Sequence, residues 1–297
     1  MKLKLLVLAV AAAFSASASA QVVISGKYLE VGVNNGGSLI TFDGTGAYGV
    51  GTGIQFDPTG TGTFNSAKDI VTPGTPFAFY SVGANGSYGV AGAGSAANPF
   101  SVTTVAVGTH NAISESFGTV TSSGLDLTQT LTLNPNAKYF TESVTLSNNT
   151  GVAVNNVVYA VGIDPDNDIG FGGGYVTNNT ILGTGTNAAV SATGPLSGET
   201  ITLSNTSIGS AGVVANISAG WDTNPYNLLS NPSAANGPGD YTINLAYNLG
   251  TLAAGQSETI GYQFAVAAVP EPTEGALLLA GIGLLGFIAA RRGRKEA

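Results

Sequence analysis

Three aspartates at alternate positions are the strongest candidates for chemistry in this chain. Asp164, Asp166 and Asp168 lie in the run Asp-Pro-Asp-Asn-Asp. Alternate carboxylates in a tight turn bring hard oxygen ligands to one ion, as at the start of a calcium loop. Ile169 and Tyr175 stand where an EF-hand needs its glycine and its bidentate glutamate, so the run predicts a Ca²⁺ site of another kind. The alternative is a solvated acidic turn whose side chains cap their own backbone.

A glycine-rich segment with two aromatic residues follows the aspartates directly. Phe171 and Tyr175 stand among glycines at positions 170 and 172–174. Beside an acidic turn, such a segment predicts either a lip that contacts a ligand or an Ω-loop packed by its own aromatic side chains. The residue types alone leave both interpretations open.

A second candidate site is a predicted loop that contains the single tryptophan. Trp221 and Tyr226 lie close to Asp222 and Asn224. Aromatic rings beside amide and carboxylate groups have the composition of a platform for a sugar ring, so this loop predicts a glycan contact. The alternative is that Trp221 fills the core at the end of the preceding strand.

Groups for covalent or acid–base catalysis are scarce. His110 is the only histidine, so a Ser-His-Asp relay would depend on it. There is no cysteine and no Gly-x-Ser-x-Gly sequence. The sequence therefore predicts a protein that is not an enzyme. Paired carboxylates that act on a glycoside are the alternative, since such pairs are not recognisable from spacing.

The N-terminus predicts export. Two lysines precede an apolar run at 5–14, and Ala18 and Ala20 form an Ala-x-Ala cleavage site before Gln21. This layout is that of a secretory signal peptide, which signal peptidase removes. Residues 1–20 are therefore not expected to be part of the folded protein, and the mature chain is expected to begin at Gln21.

The C-terminus predicts a membrane-spanning helix behind a rigid marker. Pro270 and Pro272 lack amide hydrogens and keep the marker extended. The apolar run at 275–290 reaches about 24 Å as a helix, which is short of a bilayer core of about 30 Å. Basic side chains beyond it can snorkel to make up the difference and place the C-terminus in the cytoplasm. The marker is Val269, Pro270, Glu271 and Pro272, and the basic cluster is Arg291, Arg292, Arg294 and Lys295.

These C-terminal residues together resemble the PEP-CTERM sorting signal of Gram-negative bacteria that make exopolysaccharide. The resemblance covers about a tenth of the chain and rests on three features in fixed order: the Pro-Glu-Pro marker, the apolar run and the basic cluster. It implies an inner-membrane precursor that an exosortase processes at or near Pro-Glu-Pro, followed by release to the outer surface or the biofilm matrix. The alternative is a plain C-terminal anchor that is never cleaved.

The composition of residues 21–268 limits the possible partners. This body contains three lysines, no arginine and fourteen carboxylates, which gives a formal charge of −11. Such a charge excludes an electrostatic surface for nucleic acid or anionic lipid, and it suits divalent cations. Because there is no cysteine, the exported body must be stabilised by burial, hydrogen bonds or bound metal rather than by disulfides.

The body has the pattern of strands and turns. Leucines alternate with polar residues along 125–133, which indicates a strand with one buried face. Asn-rich turns at 85–86, 134–136 and 148–151 each predict a hairpin, and residues 224–231 predict one short helical turn. More than a dozen short strands predict an all-β fold, a large antiparallel β-sandwich.

The predicted organisation has three parts. Residues 1–20 are the signal peptide, residues 21–268 are an extracytoplasmic sandwich domain, and residues 269–297 are the sorting signal. The predicted function is that of an exported structural or adhesive protein of the cell surface or exopolysaccharide, assisted by calcium. A glycan-active or glycan-binding protein and an uncleaved membrane-tethered protein are the alternatives.

Overall fold

The computed structural model of the chain describes most of the body. It covers residues 21–34, 36–41, 51–92, 100–107, 112–120, 124–208, 212–230, 232 and 234–268. The signal peptide, His110 and residues 269–297 lie outside this part. The cleavage site at Ala18 and Ala20 therefore stays a prediction from the sequence.

Strands make up nearly all of the regular structure, and all their pairings in sheets are antiparallel. This confirms the prediction of an all-β fold. In chain order the elements are β1 (Val22–Ser25), β2 (Leu29–Val33), β3 (Ile54–Phe56), β4 (Ala78–Ala84), β5 (Ser87–Gly92), β6 (Phe100–Val107), β7 (Ala112–Val120), β8 (Leu125–Leu133), β9 (Tyr139–Asn148), β10 (Val154–Ile163), β11 (Thr177–Gly183), β12 (Ala189–Thr193), β13 (Thr200–Asn205), β14 (Val213–Ser218), α1 (Pro225–Ser230), β15 (Gly237–Gly239), β16 (Thr242–Leu252) and β17 (Ser257–Ala267).

The strands form three sheets. A nine-stranded sheet has the order β15-β11-β12-β13-β17-β9-β8-β7-β6, and a five-stranded sheet has the order β14-β16-β10-β4-β5. A small third sheet has the order β1-β2-β3. Side chains from all three sheets belong to one continuous hydrophobic core, so the two larger sheets pack face to face.

Two aromatic side chains mark the contact between the larger sheets. Tyr159 of β10 and Tyr262 of β17 are fully buried, with ring centroids 6.1 Å apart. Their hydroxyl oxygens lie 2.9 Å apart, within hydrogen-bonding distance. Buried tyrosines need a partner for the hydroxyl group, and here each supplies the partner of the other across the interface.

Two of the predicted hairpins are confirmed. Asn85 and Gly86 join β4 to β5 with φ angles of 53° and 82°, the left-handed pair that a two-residue hairpin turn requires. Asn134 joins β8 to β9, and its side-chain oxygen accepts a hydrogen bond from Asn136 N at 3.0 Å. The short helix α1 also lies where residues 224–231 predict a helical turn.

The hairpin predicted at 148–151 is wrong. β9 pairs within the nine-stranded sheet, whereas β10 pairs with β4 and β16 in the five-stranded sheet. The Asn148 side chain, fully buried, donates to the carbonyls of Val152 and Leu252 at 2.8 Å each. Its oxygen accepts hydrogen bonds from Thr150. The Asn-rich turn is thus an arch that carries the chain from one sheet to the other.

Helices are short throughout this fold. Within the described residues, none is both long enough and apolar enough to cross a membrane. The membrane helix predicted at 275–290 lies outside these residues and stays a prediction.

Candidate functional site

The acidic run leaves the end of β10, which is the central strand of the five-stranded sheet. Its backbone is fixed by hydrogen bonds from Asp164 N to Phe77 O at 3.0 Å and from Asp166 N to Ile70 O at 2.6 Å. Asp164, Asp166 and Asp168 are each at most 3% exposed. The run is therefore a buried turn, and the alternative of a solvated acidic turn does not describe it.

Asp168 points away from the other two aspartates. Its carboxylate accepts hydrogen bonds from the backbone amides of Leu196 and Ser197 at 2.7 and 2.8 Å. Next to it, Asn167 donates to Glu199 O at 2.7 Å. This half of the run anchors the connection between β12 and β13. The structure thus does not bring Asp168 together with Asp164 and Asp166 as the sequence predicts.

A residue distant in the chain takes the place of Asp168. Asp240, an exposed residue between β15 and β16, directs its carboxylate toward Asp164 and Asp166. One oxygen of each of the three side chains lies within 4.8 Å of the other two. Three carboxylates at this spacing are a suitable set of ligands for a hard divalent cation such as Ca²⁺. We refer to Asp164, Asp166 and Asp240 as the carboxylate triad.

Two members of the carboxylate triad each have a buried side-chain oxygen without a hydrogen-bond partner. Among the described residues, no donor reaches Oδ1 of Asp164 or Oδ1 of Asp166. Burial, together with the charge of Asp240, raises the pKa of Asp164 to about 7. Burial, with the charges of Asp164 and Asp240, raises the pKa of Asp166 to about 9. A bound cation would remove both the repulsion and the unmet need for a partner.

The carboxylate triad lines a pocket of about 190 Å³. Two aromatic side chains, Trp221 and Tyr175, are part of the same wall. The pocket thus unites three features that the sequence presents separately: the acidic run, the glycine-rich segment and the tryptophan loop. Its lining residues are Gly74, Thr75, Asp164, Asp166, Tyr175, Trp221 and Asp240.

Trp221 has a strained backbone. Its φ angle is +51°, a left-handed conformation that costs a residue other than glycine about 1–3 kcal/mol. The ring packs on Phe77 with centroids 5.4 Å apart and remains partly exposed toward the pocket. One part of the ring thus packs on the core and another lines the pocket, and the glycan contact at Trp221 stays a prediction.

The other aromatic candidates lie elsewhere. The Tyr226 hydroxyl accepts a hydrogen bond from Gly86 N at 3.2 Å and donates to Asn156 O at 3.0 Å, which fastens α1 to the β4–β5 hairpin. Tyr226 is not among the pocket residues. Phe171 packs under the ammonium group of Lys68, 4.2 Å from its ring centroid. Tyr175 is the residue of the glycine-rich segment that lines the pocket, and the lip that contacts a ligand stays a prediction.

Sequence reasoning missed Asp240. It stands in Gly-Pro-Gly-Asp, which has the composition of a turn, but no local spacing connects it to residues 164–168. Only the adjacency of β10 and β16 in the sheet brings the two turns together.

A second buried carboxylate, inside the core, has a different environment. Glu142 of β9 is 3% exposed and accepts hydrogen bonds from the Tyr262 hydroxyl at 2.7 Å and from the Gln129 side-chain amide. Burial raises its pKa to about 7, although both hydrogen bonds act in the opposite direction. Tyr262 in turn contacts the Tyr159 hydroxyl, so the carboxylate belongs to a connected network.

Solved structures with a similar fold include carbohydrate-active enzymes. A bacterial glucoamylase complexed with acarbose matches with a TM-score of 0.53 at 10% identity, over 87% of this chain and 34% of that protein. A GH36 alpha-galactosidase from Geobacillus stearothermophilus matches with a TM-score of 0.44 at 10% identity, over 84% and 41% of the two chains. An alpha-mannosidase from Enterococcus faecalis matches with a TM-score of 0.41 at 11% identity, over 84% and 29%.

The similarity to the glucoamylase establishes the fold alone. The chain spans about a third of the length of the glucoamylase, and the identities are too low to carry a function across. A sequence comparison with curated proteins finds no match.

The C-terminal residues do match a known family. The family model of the PEP-CTERM protein-sorting motif covers residues 268–295. These residues contain the marker, apolar run and basic cluster that the sequence analysis identifies. The motif implies an exported protein that starts as a membrane-anchored precursor and is sorted by an exosortase. This chain therefore carries the PEP-CTERM protein-sorting motif at its C-terminus.

Proposed function

We propose that this protein is an exported, non-enzymatic component of the cell surface or the exopolysaccharide matrix, with a structural or adhesive role that calcium assists. The match of residues 268–295 to the PEP-CTERM motif is the observation that supports the destination. In this proposal, an exosortase cleaves at or near Pro270 and releases the β body from the inner membrane.

The carboxylate triad supports the role of calcium. Asp164 and Asp166 are buried and their Oδ1 atoms have no hydrogen-bond donor among the described residues. Leaving buried charged oxygens without a partner is costly, whereas a hard cation satisfies several of them at once. Calcium thus stabilises the turn that links the five-stranded sheet to β11 and its neighbours.

The intact mass of the protein from native cells and medium tests the destination. Processing predicts a C-terminus near Pro270 and recovery of the protein outside the inner membrane. The competing possibility is an uncleaved tether, which predicts a mass that extends to Ala297 and recovery with the inner membrane. That second result would overturn the proposed release and leave a membrane-bound surface protein.

A glycan-active protein is the second candidate, because Asp164, Asp166 and Asp240 bring carboxylates together beside one pocket. Glycosidases use a pair of carboxyl groups, one as acid and one as base or nucleophile. Release of reducing sugar from the native exopolysaccharide, abolished by Asp164→Asn, would establish this activity. The proposed non-enzymatic role predicts no release from a panel of glycans.

A further inference from the structure

The carboxylate triad leaves the coordination of a bound calcium incomplete. Calcium takes about six to eight oxygen ligands, and one oxygen from each of the three carboxylates supplies three of them. The other pocket residues add only the hydroxyl groups of Thr75 and Tyr175 as side-chain oxygens. The pocket is open to the outside next to Tyr175, which is 47% exposed. The remaining coordination positions are therefore available to oxygen atoms of an external ligand.

The aromatic side chains define the shape of such a ligand. Trp221 is fixed by its contact with Phe77 and by its left-handed backbone. Tyr175 is held by Gly74, because its ring lies so close that a Cβ at Gly74 would be 2.6 Å from the ring. Aromatic faces beside a few polar groups bind rings that carry both apolar and hydroxyl surfaces. A sugar ring has both kinds of surface.

The size of the pocket limits how much of a polysaccharide can enter. Pockets for drug-sized ligands have volumes of about 300–1,000 Å³, and this one has about 190 Å³. A single sugar unit is therefore the expected occupant. The rest of the polymer would extend over the exposed rim, where Asp240 and Tyr175 lie.

The local charge selects a neutral sugar. Three carboxylates with one calcium ion leave one negative charge, and the surrounding body carries a formal charge of −11. The carboxylate of a uronic acid would meet repulsion from both. Two neighbouring hydroxyl groups are uncharged hard oxygen ligands and meet none.

We propose that calcium held by Asp164, Asp166 and Asp240 binds a pair of adjacent hydroxyl groups on a neutral sugar unit that packs against Trp221 and Tyr175. This inference rests on the proposed calcium site and names the class of ligand for it. It assigns the adhesive role to one pocket, in which the cation is the bridge between protein and polysaccharide.

The test uses the full-length protein in detergent micelles and two readouts. The first is the melting temperature with calcium and with excess chelator. The second is retention on immobilised galactomannan, a neutral polysaccharide rich in adjacent hydroxyl groups, with polygalacturonate as the anionic comparison. Wild type is expected to gain melting temperature in calcium and to bind galactomannan only when calcium is present.

Variants separate the cation from the sugar. Tyr175→Ala and Trp221→Ala are expected to weaken binding to galactomannan about tenfold, which corresponds to about 1.4 kcal/mol, and to keep the calcium-dependent rise in melting temperature. Asp166→Asn is expected to lose both. Tyr226→Phe, at the aromatic residue outside the pocket, is the matched control and should keep both. Since Tyr175 is half exposed, Tyr175→Ala remains informative if Trp221→Ala does not fold.

The two proposals fail in different ways. A calcium-dependent rise in melting temperature without retention on galactomannan would overturn the sugar inference and leave the calcium site intact. No effect of calcium on melting would overturn both. Retention on polygalacturonate alone, or retention that persists in chelator, would overturn the assignment of a neutral sugar bound through the ion.

Discussion

The buried carboxylates of the body include two groups whose hydrogen bonding is opposite. At Glu142 and Asp69 the protein supplies the donors: Asp69 alone accepts hydrogen bonds from the amides of Gly53, Ile54, Val71 and Thr72. In the carboxylate triad, Asp164 and Asp166 have buried oxygens with no donor among the described residues. A carboxylate whose partners belong to the fold is structural, whereas one whose partners are missing is suited to an external ligand.

The largest effect is expected from Asp69→Ala. The substitution removes the acceptor of four backbone amides in a buried loop and leaves them without a partner. We expect the free energy of unfolding to fall by about 3–5 kcal/mol, equally in calcium and in chelator. Urea denaturation measures it. A loss of stability that calcium reverses would mean that Asp69 also takes part in binding the ion.

The next effect concerns the pH dependence of stability at Glu142. Its pKa is raised from 4.5 to about 7, so the folded state holds a proton that the unfolded state releases. The contribution of Glu142 to the free energy of unfolding is therefore fully present below about pH 4.5. It is lost as the pH rises to about 7, by up to about 3 kcal/mol.

Glu142→Gln isolates this contribution. The groups that face the carboxylate are Gln129 on β8, Tyr262 on β17, Tyr159 on β10 and Tyr80 on β4. Gln129 does not titrate, and burial raises the pKa of all three tyrosines. The difference in unfolding free energy between wild type and variant should thus change between pH 4.5 and 7 and then stay constant. Parallel stability profiles would contradict the prediction.

Asp166→Asn tests the carboxylate triad, the group whose buried oxygens have no donor. Because Asp166 has no donor to lose, we expect the unfolding free energy in chelator not to fall. Wild type should gain about 2.7 kcal/mol when calcium is about a hundredfold above its Kd, and the variant should gain nothing. Thermal melts with calcium and with chelator measure both. A marked loss of stability in chelator would mean that the carboxylate triad is structural, like Asp69.

The smallest effect is expected from Tyr226→Phe. The variant loses hydrogen bonds to Gly86 N and Asn156 O at a partly exposed site, which costs about 1 kcal/mol. Urea denaturation is again the measurement. Calcium should stabilise this variant as much as wild type, and unequal stabilisation would connect α1 to the ion site.

Local patterns predicted what depends on neighbours in the chain. The alternation in β8 gives a strand with one buried face, and Asn85-Gly86 gives a hairpin, because both follow from the conformations of adjacent residues. The same logic failed at Asn148. A hairpin and an arch need similar turn residues, and only the pairing partners of β9 and β10 distinguish them.

For the same reason, local patterns predicted only part of the candidate site. Asp164 and Asp166 were identifiable from their spacing, and Trp221 from the composition of the loop that contains it. Asp168 has the same spacing but binds amides of a loop, Leu196 N and Ser197 N, that no local pattern places nearby. Asp240 replaces it through sheet adjacency. The spacing of residues in the sequence predicts which side chains can serve as ligands. The pairing of strands decides which of these side chains lie close together.

The position of β17 has a mechanical consequence. β17 is the last strand before the sorting motif, and it pairs with β13 on one side and β9 on the other. A tension applied through the C-terminus, for example by a membrane anchor, acts along this strand. Its ladder hydrogen bonds lie across the strand, so they are loaded together in shear rather than opened one at a time. The ladders on both sides of β17 thus share a pull at the C-terminus over the length of the strand.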